Sequence, residues 1–225
     1  WRQFAQSGLH SVAWQTLQTN QAVPHLLQWE IIRTLSTFNP GVALSYLAQN
    51  ILVAHPLTRY AHTSWHRTVL DALTQGAIGS CAISEPGAGS DVMAMSTTAA
   101  RTSTGYRLDG QKCWITNAPY ADYILVYAKI DRKDSRELGV FIIPANLPGI
   151  AKSAPLDKIG MHPSPTGSLT FSDVSLPADC RLDSPENSGK SILFPQLDYE
   201  RLMLSAGPVG IMDWCLHTTK NTLQT

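Results

Sequence analysis

Charge is scarce in this chain of 225 residues. Lys and Arg number 17, Asp and Glu number 17, and the formal net charge at pH 7 is zero. That balance argues against the basic field by which proteins capture nucleic acid or an anionic membrane surface. No apolar run approaches the roughly 20 residues that a helix needs to span a bilayer. The four cysteines, Cys81, Cys113, Cys180 and Cys215, stand singly with no Cys-x-x-Cys pair. A zinc site or a disulfide framework is therefore not expected, and reduced thiols are. The seven histidines are scattered, and none pairs with another at metal-ligand spacing. The opening Trp1-Arg-Gln-Phe4 carries neither an initiator methionine nor a signal-peptide core, so the chain reads as cut from something longer. Internal repeats and low-complexity tracts are also missing.

What is present falls into three textures, read as 1–79, 80–185 and 186–225. The first is helical. Leu26, Leu27, Ile31, Ile32, Leu35 and Phe38 recur at three- and four-residue steps until Pro40 interrupts. A second helix is expected over Ala43–Leu52, and a third over Ser64–Thr74, with Thr63 or Ser64 as N-cap and an end near Gly76. The second texture is strand-like. Tyr106–Gly110 reads as a strand and then a turn, with Asp109-Gly110 as a hairpin signal, followed by short β-rich runs at Tyr123–Lys129, Gly139–Ile143 and Ser168–Phe171. Short strands punctuated by Gly and Pro predict a small barrel or sandwich. The third texture is one helix returning from Lys190 to Thr225, with Pro195 near its opening and Pro208 kinking it or marking a first turn.

Two stretches carry chemistry. Ser84-Glu-Pro-Gly-Ala-Gly-Ser-Asp91 packs a proline, two glycines and several polar side chains into eight residues. Gly87 and Gly89 permit positive φ and lack a Cβ, so a flat or phosphorylated ligand can approach the backbone. Trp114-Ile-Thr-Asn117 ends a strand-like run with an indole and a hydroxyl. A glycine loop beside an aromatic plane and hydroxyl donors suits a redox-active ring.

These residues resemble the acyl-CoA dehydrogenase family. Ser84–Asp91 is similar to its first signature and Gly110-Gln-Lys-Cys-Trp-Ile-Thr-Asn117 to its flavin-contacting strand. Asp157-Lys-Ile-Gly-Met161, Leu169-Thr-Phe171 with Asp173, Pro177, and Gly207-Pro-Val-Gly-Ile-Met212 extend the match over roughly residues 40–215. The resemblance implies an α+β architecture: an N-terminal helical domain, a middle β-barrel, and the start of a C-terminal helical bundle in a chain that reads as truncated. It also implies FAD, and oxidation of an acyl thioester to the α,β-enoyl thioester, a base taking the α-proton as flavin N5 takes the β-hydride.

By that resemblance, Glu200 in Leu197-Asp-Tyr-Glu-Arg-Leu202 is the base, in the manner of the isovaleryl-type branch. A surface Glu paired with Arg201 is the plainer alternative. The implied cofactor-facing set is Cys81, Ser84, Gly89, Ser90, Trp114, Ile115 and Thr116, with Thr116 donating near N5 and Ser84 near the pyrimidine edge. The implied substrate-facing set is Ser90, Ser135, Arg136, Asp198 and Arg201, where Ser135 and Arg136 answer to the nucleotide end of CoA and Asp198 and Arg201 alternatively brace the helix. Asp91 reads as a bonder of loop amides, His162 as a border of the substrate entrance, and His217 as ordinary. Acyl-CoA, or an acyl or aminoacyl carrier protein, is the implied substrate partner. Ser164-Pro-Thr-Gly167 leans toward carrier-bound prolyl thioesters and Gly207–Met212 toward short branched acyl-CoA. Electron-transfer flavoprotein or oxygen is the implied acceptor, in a homotetramer or homodimer, cytoplasmic if bacterial and in the mitochondrial matrix if eukaryotic. A non-catalytic binding or assembly protein on the same fold is the rival of another class. The family's early Gly-Gly turn is replaced by Leu17-Gln-Thr-Asn-Gln-Ala22.

Overall fold

The computed structural model describes Gly8 and residues 25–224, so the Leu17–Ala22 segment lies outside the described residues. Helix α1 spans His25–Phe38. Helix α2, Pro40–Gln49, begins where Asn39 accepts from Val42 N at 3.1 Å and Pro40 takes a position whose N–H is not needed. The helix does not stop at Leu52 as expected. It passes through a π turn, Asn50–Ala54, into α3, His55–Tyr60. Helix α4, Ser64–Thr74, follows, with Thr63 capping His66 N at 3.2 Å as its sequence predicts.

Seven strands form one sheet: β1 (Gly79–Ala82), β2 (Thr98–Arg101), β3 (Gly105–Thr116), β4 (Tyr123–Ile130), β5 (Leu138–Pro144), β6 (Ile150–Lys152) and β7 (Thr166–Pro177). Strand β4 is its axis, parallel to β1 and β2 on one edge and antiparallel to β5 on the other. From β2 the order continues through β3 and β7 to β6. Both faces of β4 are covered, which explains its near-continuous apolar run. Leu125 and Tyr127 meet Leu57, Val69 and Leu73 of the helices and Ile192 beyond the sheet. Ile124, Val126, Ala128 and Ile130 face inward onto Leu108 of β3, Phe141 of β5 and Val174 of β7. Strands distant in the ladder thus share one interior, so the sheet rolls up as a barrel does. A single bridge, Phe141 to Arg181, joins β5 to the segment after β7.

The hairpin expected at Asp109-Gly110 is absent, because β3 runs straight through it. Gly110 sits at φ +145°, and a Cβ there would stand 2.4 Å from Thr97 Oγ1. The register against β7 slips between Leu108 and Gly110, while Asp109 accepts from Asp173 N at 2.8 Å. The glycine marks a bulge and a close approach instead of a turn.

The C-terminal helix is two helices, α5 (Gly189–Leu204) and α6 (Ala206–Leu223). Ser188 caps α5, which leaves Pro195 well inside it instead of near its opening, and Pro208 falls in the first turn of α6. A third cluster, with Ile32, Tyr46, Leu47, Ile51, Met203 and Ala206, binds α1 and α2 to α5 and α6. At Gly210 a Cβ would lie 2.1 Å from the carbonyl oxygen of Arg33. Replacing glycine by alanine in an open helix gains about 1 kcal/mol. Here overpacking between α1 and α6 reverses the sign, and Gly210→Ala is expected to lose about 1–3 kcal/mol. A raised unfolding midpoint in urea would contradict that packing.

Candidate active site

A cleft of about 390 Å³ opens between the C-terminal side of β1, the glycine loop, the end of β3, and helices α2 and α5. The glycine loop is a tight turn in which Glu85 and Ala88 exchange both backbone hydrogen bonds, at 3.0 and 3.1 Å. Gly87 and Gly89 do not use the positive φ that glycine permits. Their use is spatial, since a Cβ at either would meet nothing within 4 Å. Asp91 accepts from Met93 N at 3.1 Å, as expected for a bonder of loop amides.

Across from the loop, β3 slips register between Lys112 and Ile115. The slip takes Trp114 out of the ladder at φ +59° and turns its indole outward, 67% exposed, onto the rim of the cleft. Asn117, also left-handed at φ +68°, secures the strand end by donating to Ser45 O at 3.1 Å and Gly79 O at 3.2 Å.

One ion pair ties these walls together, and sequence reasoning overlooked it. Lys112 and Glu85 lie 2.8 Å apart with side chains 0% and 3% exposed. The ammonium also donates to Ile83 O at 2.9 Å, and the carboxylate accepts from Ser96 N, Ser96 Oγ and Thr97 N. Burial opposes the charge on Glu85, yet the Lys112 ammonium and these donors outweigh it and hold the carboxyl at about 2. Burial likewise pulls the Lys112 ammonium below its ordinary value, and Glu85 opposes that pull. The available signal was parity: Lys112 shares the inward phase of Leu108 along β3.

Helix α5 supplies the facing wall with Leu197, Glu200 and Arg201, α2 adds Ala48, and the π turn adds Leu52. Burial pushes the Glu200 carboxyl up, and the neighbouring Arg201 offsets part of the rise. Arg201 is paired with Asp198 at 2.5 Å, so Glu200 has no ion-pair partner among the described residues. Burial also drives the Cys81 thiol of β1 far up, with Glu200 adding to it, which keeps that thiol protonated. The hydroxyls of Ser84, Ser90 and Thr116 line or face this space without a hydrogen-bond partner among the described residues.

Cys81, Ser84, Gly89, Ser90, Trp114, Ile115, Thr116, Glu200 and Arg201 therefore share one cleft. Asp198 is exposed and engages Arg201 as a brace. Ser135 and Arg136 lie elsewhere, in the loop between β4 and β5. The Ser135 hydroxyl accepts from Glu137 N at 3.2 Å, and Arg136 borders a separate cavity of about 460 Å³ with Arg181 and Lys190. His162 lines a third cavity, of about 940 Å³, with Tyr120 and Lys152, and His217 hydrogen-bonds Asn221 on its own helix.

Residues 80–174 match the model of the acyl-CoA dehydrogenase middle domain. Over 218 residues the chain is 36% identical to mitochondrial isovaleryl-CoA dehydrogenase of Arabidopsis thaliana, an alignment covering 96% of this chain and 53% of the relative. The chain belongs to the acyl-CoA dehydrogenase family. Among solved structures it is similar to the prolyl acyl carrier protein oxidase AnaB, with a TM-score of 0.89 at 27% identity over 98% of this chain and 59% of that one. The FAD complex of PigA superposes with a TM-score of 0.87 at 29% identity, over 98% and 58% of the two chains. The chain spans about half the length of the curated relatives it matches.

In this family member the Glu85 carboxyl titrates at about 2, below the roughly 4.3 of an unfolded glutamate. Its contribution to stability is present above about pH 4 and is lost as the pH falls through about 2. Lys112→Met leaves that carboxylate buried and unpaired, so it is expected to cost about 3–5 kcal/mol. The Glu85→Gln/Lys112→Met pair is expected to recover much of the loss in a denaturant titration; an equal loss in both variants would deny the coupling.

Proposed function

We propose that the protein is an FAD-dependent acyl-thioester dehydrogenase in which Glu200 is the catalytic base. The observation that carries this reading is a half-buried acid without an ion-pair partner among the described residues, set across one cleft from Trp114 and Thr116.

The residues present fit a flavin. The three unpartnered hydroxyls offer donors to a polar ring edge, the outward indole offers a flat wall, and the open space beside Gly89 admits a ligand against the backbone. The FAD complex of the similar PigA supports the same cofactor. Bound FAD would supply a hydride acceptor, which the side chains cannot.

The chain's own residues do the rest. Glu200 receives the α-proton of the thioester. A carboxylate taken partly out of water is the stronger base, because desolvation disfavours its charge. Arg201, held by Asp198, does not neutralise it. Ser84 and Thr116 orient the ring and Ser90 meets the arm that carries the thioester. Arg136, which borders the separate cavity with Lys190, binds the far phosphates of CoA, with Ser135 beside it in the same loop. Glu200→Gln in full-length protein is expected to retain FAD and to slow substrate bleaching of the flavin by about 10²- to 10⁴-fold. Bleaching at the normal rate would move the base elsewhere.

Short branched acyl-CoA is the favoured substrate, supported by the identity to isovaleryl-CoA dehydrogenase. Oxidation of an aminoacyl thioester on a carrier protein is the second reading, supported by the superposition on AnaB. Mass spectrometry after incubation with isovaleryl-CoA and with a prolyl-loaded carrier protein separates them. The expected result is isovaleryl-CoA lighter by two hydrogens and an unchanged carrier adduct; loss on the carrier alone selects the second reading.

A further inference from the structure

We infer that Gln196 is a positioning residue that sets how far Glu200 reaches into the cleft, through a contact created by Pro56. The inference rests on the proposed role of Glu200. In the π turn the donor sits five residues beyond its acceptor, as His55 N bonds Asn50 O. The next donor in that register would be residue 56, reaching Ile51 O. Proline has no N–H, so the Ile51 carbonyl is left unserved by its own helix, in a buried position where an orphan acceptor is costly.

Gln196 of α5 fills that vacancy. Its Nε2 donates to Ile51 O. Its Oε1 is therefore the acceptor for His55, whose Nδ1 lies 2.9 Å away and must carry the proton. Both side chains are buried, at 3% and 8% exposure. One amide thus bonds two features of the irregular turn, the Ile51 carbonyl and the His55 ring at the start of α3, and fixes the axial register of α5 against them. A slip along either helix would break both bonds together.

Glu200 lies four residues after Gln196, so the two stand one above the other on the same face of α5. Between them, Tyr199 fastens the helix a second way: it donates to Gln28, accepts from His25 at 2.9 Å, and its ring stacks on His55 at 4.6 Å. Apolar packing alone tolerates small sliding between helices. Two directional anchors at positions 196 and 199 remove that freedom just where the acid projects. No motif noted in the sequence contains Gln196 or His55, and the cleft itself excludes both.

The test uses full-length, FAD-loaded protein. Gln196→Leu removes the amide and keeps the bulk. It is expected to retain flavin and hold KM within about twofold, while slowing flavin bleaching by about ten- to a hundredfold, the scale for a reacting group misplaced by about 1 Å. In flavin-free protein, amide hydrogen exchange across residues 50–57 is expected to accelerate. Pro56→Ala returns a backbone donor to Ile51, so in that background the same substitution should lose less protection and less rate. Normal bleaching by Gln196→Leu, alongside a dead Glu200→Gln, overturns the positioning role alone. Normal bleaching by Glu200→Gln overturns the base reading and this inference with it. Parallel loss of flavin, KM and rate shows a merely structural glutamine and also overturns it. If Gln196→Leu does not fold, His55→Phe, which keeps the ring on Tyr199, should show the same KM-neutral fall several-fold in size, and an unchanged rate there refutes the proposal.

Discussion

A lysine and a glutamate, both almost wholly removed from water, hold the glycine loop to the third strand. Two isolated charges in that position would cost several kcal/mol each in lost hydration, and their mutual attraction repays this only if the remaining donors and acceptors are met. They are met: Ile83 O takes a second proton of the ammonium, and Ser96 and Thr97 saturate the carboxylate. Such pairs are often no better for stability than apolar side chains of equal volume. What this pair supplies is registry. The end of β1, the loop, the segment around Thr97 and β3 meet at one ion pair, and Cys113 N adds a bond to Ser84 O at 2.9 Å. The register slip that turns Trp114 outward begins at the very next step of β3. A displaced Lys112 would free the loop and the indole together.

The helical wall is held by the opposite chemistry. Among the described residues no ion pair anchors α5 against the π turn, α3 or α1; neutral amide, imidazole and phenol groups do. Burial lowers the His55 pKa, so its imidazole stays neutral against that wall even with Gln196 favouring the proton. A cationic anchor here would stabilise the Glu200 carboxylate and lower its basicity. The buried ion pair thus lies on the sheet side, under the loop, while the contacts of α5 at Gln196 and Tyr199 are polar but uncharged.

Composition and periodicity were enough to read helices, strands, then helices, because those signals are local. The β4 run and the α4 cap are legible within a dozen residues. Asp109-Gly110 misleads for a physical reason: a glycine that must approach Thr97 at a bulge looks the same in sequence as one that reverses the chain. Whether β3 turns or continues is decided by β7, about 60 residues later. Pro195 misleads similarly, since Ser188 offers a better N-cap and starts the helix earlier. The π turn was beyond reach from sequence, as the donor that satisfies Ile51 comes from position 196. Site residues within recognised motifs did converge on one cleft, whereas Lys112 and Gln196, which tie separate motifs together, drew no attention.

The pairing of Arg201 shows why position on a helix outweighs proximity in sequence. Glu200 and Arg201 are adjacent, which made a surface ion pair the plain alternative for the glutamate. Successive residues on an α-helix point about 100° apart and cannot face one another, while residues three apart can. Arg201 accordingly reaches back to Asp198. An exposed pair of that kind is worth only about 0.3–0.5 kcal/mol, too little to explain its presence by stability. Its effect is on the charge beside the cleft: with the guanidinium engaged by Asp198, Arg201 offsets only part of the rise that burial causes in the Glu200 carboxyl. Helix geometry, with Asp198 one turn away to take the guanidinium, thereby leaves Glu200 outside the ion pair.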